Sequence, residues 1–485
     1  MTFYAAENWI DGVFASSRKR GKSINPATYE QIGDYADDGG VAASSAIAAA
    51  RRAFTETAWP HDAELRAKVL DQMADAIDRN RDRLMDILSL ENGKIRAEAA
   101  MEAFGSPGKL RYWAAMARTE SGRATRPKPG SISVVLRQPI GVAGVIVPWN
   151  SPVILAVRAF APALAAGCTV VVKMPGQVAQ TAAILAEILS EATDLPRGVM
   201  NIFSESGSEG AALLVESEHV PTISFTGSTR TGAAIGAVGA RRMKRFGLEL
   251  GGKAPMIVFE DADIEPMLPV LEKALTVFAG QFCMTGSRLL VHEAVYETVR
   301  DELAERLRKV RVGPAADPVS DMGPLIDKAN VARVEKVVEE ALGQGAIAIV
   351  RGGPVTEGPM AHGAFFRPAM IEVTNNSLPI VQQETFGPVI TIQRFKDENE
   401  AIGLANDNEY GLSASIWTRD LDRSFRVAGA LDVGSVFVND WAKVYDSTEE
   451  GGFKLSGLGR LNGHAALEDF IEYKHIALRP GLFGH

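Results

Sequence analysis

The sequence has 485 residues, of which 46% are apolar and 23% are charged, and its formal net charge is -9. Such a length exceeds one ordinary hydrophobic core, so two or three domains are expected. The negative charge is spread without blocks, which argues against nucleic acid or an anionic membrane as the main partner. The N-terminus lacks a basic segment followed by an apolar run, and no uncharged apolar stretch reaches about 18 residues. We therefore expect neither an export signal nor a membrane-spanning helix.

The chain contains two cysteines and seven histidines. Two cysteines cannot form a disulfide framework, so the sequence indicates a reducing compartment and a cytoplasmic location. The histidines are scattered, and none has the spacing of a known metal-binding motif. No metal site is expected.

The N-terminal region is predicted to be largely helical after a short β segment. Residues 8–26 read as short strands and turns, and helical periodicity follows in residues 41–55, 64–80 and 83–104. Residues 118–129 are polar and basic, and the next segment, 131–138, is typical of an exposed strand. This polar β segment is a candidate arm or hairpin.

From residue 141 onward, short apolar runs alternate with helical segments. Buried parallel strands covered by helices on both faces produce this pattern, so it predicts an α/β fold with doubly wound sheets. The predicted strands of the first series are 142–147, 169–173, 199–203 and 222–225, with helices at 153–166, 181–192, 209–215 and from 229. A second series runs from 255 to about 440, with helices near 264–277, 293–310 and 328–343, and a last strand is expected within 469–478.

Ligands bind such sheets at the carboxyl ends of the strands, so the residues after each strand are the candidates for function. Asn150 lies on a Pro-flanked loop, where its amide could donate to an oxyanion or simply serve a turn or helix cap. Lys173 ends the second strand, where a cation can meet a ribose or phosphate. Gly227 and Gly232 are five residues apart across a strand-to-helix turn, which suits a pyrophosphate.

Three further positions carry acid or thiol chemistry. Glu249 precedes two glycines and could be a general base or a solvated carboxylate. Glu384 is an acid beside an aromatic residue. Cys283 lies in a Gly-flanked turn and could be a nucleophile or a small buried apolar residue. Residues 457–463 imitate a dinucleotide loop, but their spacing is GxGxxxG and no apolar strand precedes them.

Together, the order and spacing of these motifs resemble the aldehyde dehydrogenase superfamily. The motifs are PWN, a strand-end lysine, FTGSTxxG, ELGGK, GQxC, ETFGPV and GGxKxSGxGR, and the resemblance runs from about Asn8 to Lys474. It implies that Cys283 attacks an aldehyde, that Asn150 and the Cys283 N–H hold the oxyanion, and that Glu249 activates the water that hydrolyses the thioester. The product would be a carboxylic acid, with NAD as the coenzyme.

The resemblance also implies the coenzyme site and the domain organisation. It places Trp149, Lys173, Gly176, Gly227, Ser228, Gly232, Leu250, Glu384 and Phe386 on the cofactor side, with Glu384 at the nicotinamide ribose and Phe386 steadying the ring. The implied NAD(P)-binding domain comprises residues 1–118 and 140–252, and the catalytic domain comprises 253–440. Residues 119–139 and 463–485 would form an oligomerisation arm and a C-terminal strand, so a homodimer or homotetramer is expected.

One departure from the family pattern concerns coenzyme choice. Many NAD-preferring members carry a glutamate three residues after the strand-end lysine, and this chain has Gly176 there. That acid accepts ribose hydroxyls and repels a 2'-phosphate. We therefore expect NAD, with NADP tolerated.

A second departure concerns the substrate funnel. Ser151 and Arg158 stand where relatives carry an aromatic residue and a tryptophan, and Thr448-Glu449-Glu450 replaces a loop that usually offers an aromatic. The funnel argues against a long-chain fatty aldehyde. Arg158 could meet a carboxylate-bearing semialdehyde, and Glu449 or Glu450 could meet a cation or hydroxyls; alternatively, these charges pair with each other or face solvent. Phe282 and Met284 flank Cys283 and predict an apolar wall suited to an uncharged, even aromatic, reacting end.

Three other functions are compatible with parts of this pattern. A CoA-acylating enzyme would transfer the acyl group to a thiol, but such members typically lack the glutamate found here at position 249. An idle structural or binding relative would be expected to lose Cys283, Asn150 or Glu249. An esterase using Cys283 alone would be at most a side activity, because the nucleotide positions are intact.

Overall fold

The computed structural model describes residues 4–119 and 121–478. In this part the chain forms two large sheets with helices packed on them, and a separate three-stranded sheet. The predicted α/β class with two parallel sheets and a small β arm is thereby confirmed. Residues 1–3, Glu120 and 479–485 lie outside the described residues, and so do the corresponding ends of the domain ranges given above.

The first large sheet has eight strands, and its five central strands are parallel. Two further strands on one side and a single strand on the other complete the sheet, and each of these three pairs antiparallel with the strand next to it on the inner side. In spatial order the strands are Gly457–Leu458, Arg245–Glu249, Thr222–Thr226, Val142–Ile146, Thr169–Pro175, Met200–Glu205, Asn8–Ile10 and Val13–Ala15. The segment 457–463, whose spacing is similar to that of a dinucleotide loop, thus supplies the edge strand Gly457–Leu458.

Helices bury both faces of this sheet, as the apolar runs of its strands predict. In the strand Thr169–Pro175, Val170 and Val172 belong to one core cluster and Val171 to another, because successive side chains point to opposite faces. The helices of this half are Gly39–Glu56, Ala63–Arg79, Arg81–Ile87, Arg96–Thr119, Pro152–Ala166, Ala179–Leu189, Glu209–Glu216 and Thr229–Gly239.

The second large sheet has seven strands, of which only the first in spatial order is antiparallel to its neighbour. The strands are Ile347–Val350, Ala369–Glu372, Val389–Phe395, Gly286–His292, Ala254–Val258, Ser413–Trp417 and Ser435–Val438. Its helices are Ile264–Thr276, Tyr296–Lys309, Lys328–Gly343, Pro379–Gln382, Glu398–Asn406 and Leu421–Ala430, close to the predicted bounds where a prediction was made.

The candidate arm and the C-terminal segment form one antiparallel sheet. Ile132–Pro139 lies in the middle, between Arg123–Thr125 and Ile471–Leu478. Its pairing with the C-terminal strand covers eight residues, from Pro139 opposite Ile471 to Ile132 opposite Leu478. Most side chains of the C-terminal strand are exposed.

The prediction of a helix over residues 83–104 is wrong, because the helix is interrupted within this range. Arg81–Ile87 ends in a π-helical turn, Leu88–Asn92, and the next helix begins at Arg96 and continues to Thr119. Gly93 lies at the break, where its φ is +79° and a β-carbon would lie 2.6 Å from Pro324, so a residue with a side chain would not fit there. The break matters for function because it carries Asn92 and Lys94 to the candidate site.

The remaining strands are short. Tyr4–Ala6, Gln31–Ala36 and Arg20–Ile24 form a small sheet near the N-terminus, and two strand pairs join Gly353–Pro354 with Phe366–Arg367 and Tyr410–Gly411 with Phe453–Lys454. None of the helices in the described ranges combines the length and apolar character needed to cross a bilayer.

Candidate active site

The carboxyl ends of strands in the first large sheet and the segments that precede strands of the second border one cavity of about 530 Å³. Most of the predicted site residues, although far apart in the chain, line this cavity. They are Trp149, Asn150, Ser151, Arg158, Gly227, Ser228, Leu250, Phe282, Cys283, Met284, Glu384, Phe386 and Glu450. Glu249, Lys173, Gly176 and Gly232 lie outside its wall, and each of these four is described below.

The turn that presents Cys283 has an unusual backbone. Phe278, Ala279 and Gly280 all have positive φ, at 51°, 54° and 70°. Two consecutive non-glycine residues in the left-handed region are strained, and surrounding contacts must hold them. One such contact is the bond from the Phe278 N–H to Glu98 Oε1, at 2.8 Å. Cys283 itself is half buried at the end of this turn.

The loop carrying Asn150 is attached directly to the Cys283 turn. Asn150 Nδ2 donates to the carbonyl of Gln281 at 2.9 Å. The loop is also held from behind, because Asn92 Nδ2 donates to the Trp149 carbonyl at 2.7 Å and Lys94 Nζ donates to the Asn150 carbonyl. A carboxamide nitrogen carries two protons, so one remains available to a ligand beside Cys283.

The helix that follows this loop is capped from another helix. Glu102 Oε2 accepts from the N–H groups of Val153 and Ile154, at 2.9 and 3.1 Å. A carboxylate at a helix N-terminus satisfies free donors and complements the helix dipole. Ser151 occupies the N-cap position but makes no capping bond, and its buried Oγ has no hydrogen-bond partner in the described chain.

Glu249 ends its strand in a buried position beside the cavity wall. Its side chain is 1% exposed, and Oε2 lies 3.4 Å from Arg158 Nη1. Neither carboxylate oxygen has a hydrogen-bond partner among the described residues. Burial raises the pKa of Glu249 to about 7, while Arg158 lowers it and Glu450 raises it further. At neutral pH this group can therefore accept or release a proton.

The thiol of Cys283 is shifted in the same direction. Burial raises the pKa of Cys283 well above its ordinary value, and the negative charge of Glu249 adds to this effect. The cysteine is consequently a thiol at neutral pH, and it needs a base in order to act as a nucleophile.

The funnel charges form an ion pair with each other. Arg158 Nη1 contacts Glu450 Oε1, and the side chains are 8% and 5% exposed. The structure thus agrees with the alternative that these charges pair with each other. Glu449 points elsewhere, since its Oε1 accepts from the N–H groups of His464 and Ala465 at 3.0 and 3.3 Å.

The cofactor side of the cavity is built around Trp149 and Phe386. Their rings meet edge to face, with centroids 5.5 Å apart at 85°. Glu384 Oε1 accepts from the Gly252 N–H at 3.0 Å, and burial raises the pKa of Glu384 to about 7. Arg333 donates to the carbonyl of Phe386 at 3.1 Å and so fixes the backbone of this segment.

The FTGSTxxG segment forms the start of a helix, as predicted. Ser228 is the N-cap of Thr229–Gly239 and accepts from the Thr231 N–H. Its position leaves the first N–H groups of that helix directed toward the cavity end of the sheet. Gly232 has a packing role, because a β-carbon there would lie 2.4 Å from Leu250.

Comparisons with known proteins agree with this geometry. The family model described as "Aldehyde dehydrogenase family" matches residues 13–476. Betaine aldehyde dehydrogenase from Bacillus subtilis (strain 168) is 37% identical over 473 residues, covering 96% of each chain. The chain belongs to the aldehyde dehydrogenase family. It is thus an oxidoreductase that converts an aldehyde to a carboxylic acid and reduces NAD(P).

Two further relatives refine the comparison. Hydroxyisobutyraldehyde dehydrogenase from Mycolicibacterium austroafricanum is 36% identical over 461 residues, covering 94% of this chain and 90% of that protein. The crystal structure of Staphylococcus aureus betaine aldehyde dehydrogenase in complex with NAD+ superposes with a TM-score of 0.95 at 34% identity, covering 99% of this chain and 96% of that one.

Lys173 and Gly176 of this aldehyde dehydrogenase lie at the end of the neighbouring strand, away from the cavity. Lys173 is 3.9 Å from Glu205, and burial lowers its pKa. Gly176 is not beside an empty space: a β-carbon there would lie 2.2 Å from the hydroxyl of Tyr35. Tyr35 also passes over Gly21, so two glycines make room for one phenol. Nothing in the sequence indicated this contact.

The sequence also missed several residues of the substrate side. Trp441 packs edge to face on Phe282, with centroids 5.7 Å apart, and donates to the Met284 carbonyl at 2.8 Å. Phe278 contacts the other side of Phe282 at 5.7 Å. The aromatic wall therefore comes from the Cys283 turn and one tryptophan, not from the usual funnel positions. Trp441 and Phe278 could have been suspected only as aromatics near recognised motifs.

Asn462 is the least expected lining residue. Its Oδ1 accepts from Lys109 Nζ at 3.2 Å, and its buried Nδ2 has no hydrogen-bond partner in the described chain. On the cofactor side, Asn330 and Arg333 also line the cavity without having been predicted. Within residues 4–119 and 121–478, no group of three or more His, Cys, Asp or Glu side chains is placed to hold a metal ion.

We predict that Gly280→Ala damages the Cys283 turn. The backbone has φ +70°, and the new methyl group would lie 2.3 Å from the backbone of Gly387, so roughly 2–4 kcal/mol of stability should be lost. Thermal unfolding and steady-state NADH formation measure the effect. Gly236→Ala is the control, since its added methyl group meets nothing within 4 Å. Equal unfolding temperatures for the two variants would contradict the prediction.

We also predict that Gly176→Glu alone does not create a ribose-binding acid. The Tyr35 hydroxyl occupies the space of the new side chain, so the variant should unfold at lower temperature and bind NAD less tightly. Combined with Tyr35→Ala, the same substitution should raise the NAD-to-NADP ratio of kcat/KM by about tenfold or more, because a carboxylate repels a 2'-phosphate. Tyr35→Ala alone is the control. A stable single variant with the full change in ratio would refute this arrangement.

Proposed function

We propose that Cys283 is the nucleophile, Asn150 the oxyanion-binding residue and Glu249 the general base in the oxidation of a polar, non-anionic aldehyde. The observation that carries this proposal is the bond between Asn150 Nδ2 and the Gln281 carbonyl, which attaches the amide to the turn of the half-buried Cys283. The electrostatic effect of Glu249 on the Cys283 thiol indicates that the third group is also near.

The first step is addition of the thiol to the aldehyde. Cys283 Sγ forms a bond to the carbonyl carbon, and its proton passes to water in the cavity, which leaves Glu249 free for the second half of the reaction. The carbonyl oxygen becomes an oxyanion. The free proton of Asn150 Nδ2 and the Cys283 N–H donate to it, and such fixed donors in a buried site stabilise the charge without reorganisation.

The cofactor-side residues fit a dinucleotide. Trp149 and Phe386 offer ring faces and edges, Ser228 heads a helix, and Glu384 and Arg333 supply an acid and a cation that can meet ribose hydroxyls. Bound NAD supplies the acceptor for the hydride that leaves the carbon attached to Cys283. In the absence of an acid at position 176 we propose that NADP is tolerated; a kcat/KM ratio above about 1,000, equivalent to about 4 kcal/mol, would exclude it.

The second half of the reaction is hydrolysis of the thioester on Cys283. Glu249 removes a proton from water, the hydroxide adds to the acyl carbon, and the carbon–sulfur bond breaks to release a carboxylic acid. The proton on Glu249 then returns to the Cys283 sulfur, which regenerates both the thiol and the base. The presence of Glu249 is also what disfavours CoA as the acyl acceptor. Transfer to CoA would not need a base that activates water.

A non-anionic polar substrate fits the charges of the cavity. Arg158, the cation nearest to Glu249, already contacts two carboxylates, so it does not offer a site for a carboxylated semialdehyde. Ser151 Oγ and Asn462 Nδ2 are unpartnered, buried and on the cavity wall, where a hydroxyl or carbonyl oxygen of the substrate can bond to them. Two relatives bear the names of a cationic and a hydroxylated aldehyde, in agreement with this class.

We expect Cys283→Ala to abolish NADH formation, and Asn150→Ala to lower kcat by about 100-fold or more, because it removes an oxyanion donor. Glu249→Gln should retain one rapid burst of NADH but turn over slowly, since the thioester accumulates. The measurement is burst and steady-state kinetics across cationic, hydroxylated, aromatic, aliphatic and carboxylated aldehydes. Turnover that requires CoA would overturn the role of Glu249, and a preference for carboxylated substrates would overturn the substrate class.

We propose further that the enzyme is cytoplasmic and forms a homodimer or homotetramer through the sheet of Arg123–Thr125, Ile132–Pro139 and Ile471–Leu478. Both cysteines are free, which suits a reducing compartment. Leu136, Tyr473 and Leu478 of this sheet are large apolar residues left substantially exposed in a single chain. Contact with another copy would bury them.

Sedimentation analysis should give two or four times the chain mass of 51.9 kDa. Leu136→Asp together with Tyr473→Asp should shift the population toward monomers, because two charges would have to be buried in the contact. Val41→Asp, at an exposed apolar position on a helix outside this sheet, is the matched control. A monomeric wild-type enzyme would refute the proposal.

A further inference from the structure

Arg158 and Glu450 form a buried ion pair at positions where the family usually has aromatic residues. We propose that this pair positions Glu249 for hydrolysis of the thioester: the guanidinium holds the Glu249 carboxylate beside Cys283, and Glu450 holds the guanidinium. The inference rests on the proposed role of Glu249 as the general base. Arg158 and Glu450 are positioning residues, since they act through Glu249.

The three side chains form one continuous contact. Arg158 Nη1 lies 3.4 Å from Glu249 Oε2 and also contacts Glu450 Oε1, and all three side chains are at least nine-tenths buried. Glu249 is not part of the cavity wall, whereas Arg158 and Glu450 are. Arg158 therefore connects the wall of the cavity to a base that would otherwise have no polar contact.

The guanidinium is itself fixed from three elements. Arg158 lies two helical turns after Ser151 in Pro152–Ala166, and its Nη2 lies 3.3 Å from Thr226 Oγ1 at the end of a neighbouring strand. Glu450 is anchored by paired backbone bonds with Leu461, both at 2.8 Å. A planar guanidinium with several fixed donors orients a carboxylate more narrowly than water would.

The Arg158–Glu450 pair affects both the position and the basicity of Glu249. The charged groups that face it are Arg158, Glu450, Arg460 and Cys283. Three of them act on the ionised form of the Glu249 carboxylate. The positive charge of Arg158 favours it, whereas the negative charges of Glu450 and of a Cys283 thiolate disfavour it. Arg158 with Glu450 can thus hold Glu249 in place while leaving it basic enough to accept a proton near neutral pH.

This arrangement has a specific consequence for the reaction. Hydrolysis needs Glu249 ionised and directed at a water molecule next to the acyl group, whereas a base displaced by about 1 Å loses rate by up to about 100-fold. The pair should therefore affect steady-state turnover more than the burst of NADH, which precedes hydrolysis. An ion pair that only stabilised the fold would leave the ratio of burst to turnover unchanged.

The first test uses the pH dependence of steady-state kcat with saturating NAD and a non-anionic aldehyde. A base works when deprotonated, so kcat falls as the pH drops through the pKa of Glu249. Arg158→Met removes the cation and should move this acid limb to higher pH by about one pH unit or more. Glu450→Gln removes a negative charge and should move it to lower pH. The opposite directions are the signature of the proposed contact.

The second test guards against misfolding, because Arg158→Met alone leaves buried carboxylates unpaired. The double variant Arg158→Met/Glu450→Met removes both charges, and such replacements are often neutral or stabilising. It should keep the thermal stability and the NADH burst but lose roughly 10- to 100-fold in steady-state kcat. Glu449→Gln, whose carboxylate bonds to backbone N–H groups away from Glu249, is the matched control and should leave the acid limb in place.

The outcomes are decisive in either direction. The positioning role would be overturned if the double variant had wild-type turnover, or if it lost the burst as well. It would also be overturned if the single variants moved the acid limb in the same direction or not at all. If the wild-type enzyme forms no acid from any aldehyde without CoA, the proposed function fails instead. An active wild-type enzyme with unaffected variants would refute only this inference.

Discussion

The site depends on how closely the backbone segments that precede the strands of the second large sheet approach one another around Cys283. A β-carbon on Gly252 would lie 2.5 Å from the Cys283 carbonyl, and one on Gly280 would lie 2.3 Å from the backbone of Gly387. Only glycine permits both approaches without displacing the backbone. They fix the turn that carries Cys283, and the bond from Asn150 Nδ2 to the Gln281 carbonyl joins this turn to a strand end of the first sheet.

The strained turn before Cys283 follows from the same approach. Phe278 and Ala279 adopt positive φ, and the chain around them supplies the compensating contacts. Among these is the bond from the Phe278 N–H to Glu98, a residue of the helix that begins after the Gly93 break. Lys94, from the same break, holds the Asn150 loop. The helix interruption in the N-terminal region thus supports both sides of the catalytic geometry.

Burial of charge is the second physical feature of this enzyme. Burial raises the pKa of both Glu249 and Glu384 to about 7. Poor solvation suits the Glu249 carboxylate to the proposed role of a base, but an unsolvated carboxylate needs a fixed partner. In this chain Arg158 and Glu450 meet that need with charges, where the family pattern has aromatic side chains. The same pairing of Arg158 underlies the proposal that the substrate carries no carboxylate.

The regular parts of the fold were predictable because their signals are local. The apolar run at Thr169–Pro175 alternates between two core clusters, and the predicted helix at 328–343 matches Lys328–Gly343 in the structure. The prediction failed over residues 83–104, where helix-forming residues surround one glycine. Gly93 leaves no room for a side chain beside Pro324, more than 200 residues further along the chain, and periodicity carries no information about this packing.

The sequence by itself determined the reaction class, since the motif residues around Asn150, Glu249, Cys283 and Glu384 have side chains suited to that chemistry and occur in a fixed order. Only the tertiary structure decided what those residues contact. Arg158 and Glu450 are 292 positions apart, and Tyr35 fills the space beside Gly176 from another sheet. Such contacts depend on three-dimensional packing and burial, which set both the partner and the pKa of each group, and neither property is encoded in local sequence.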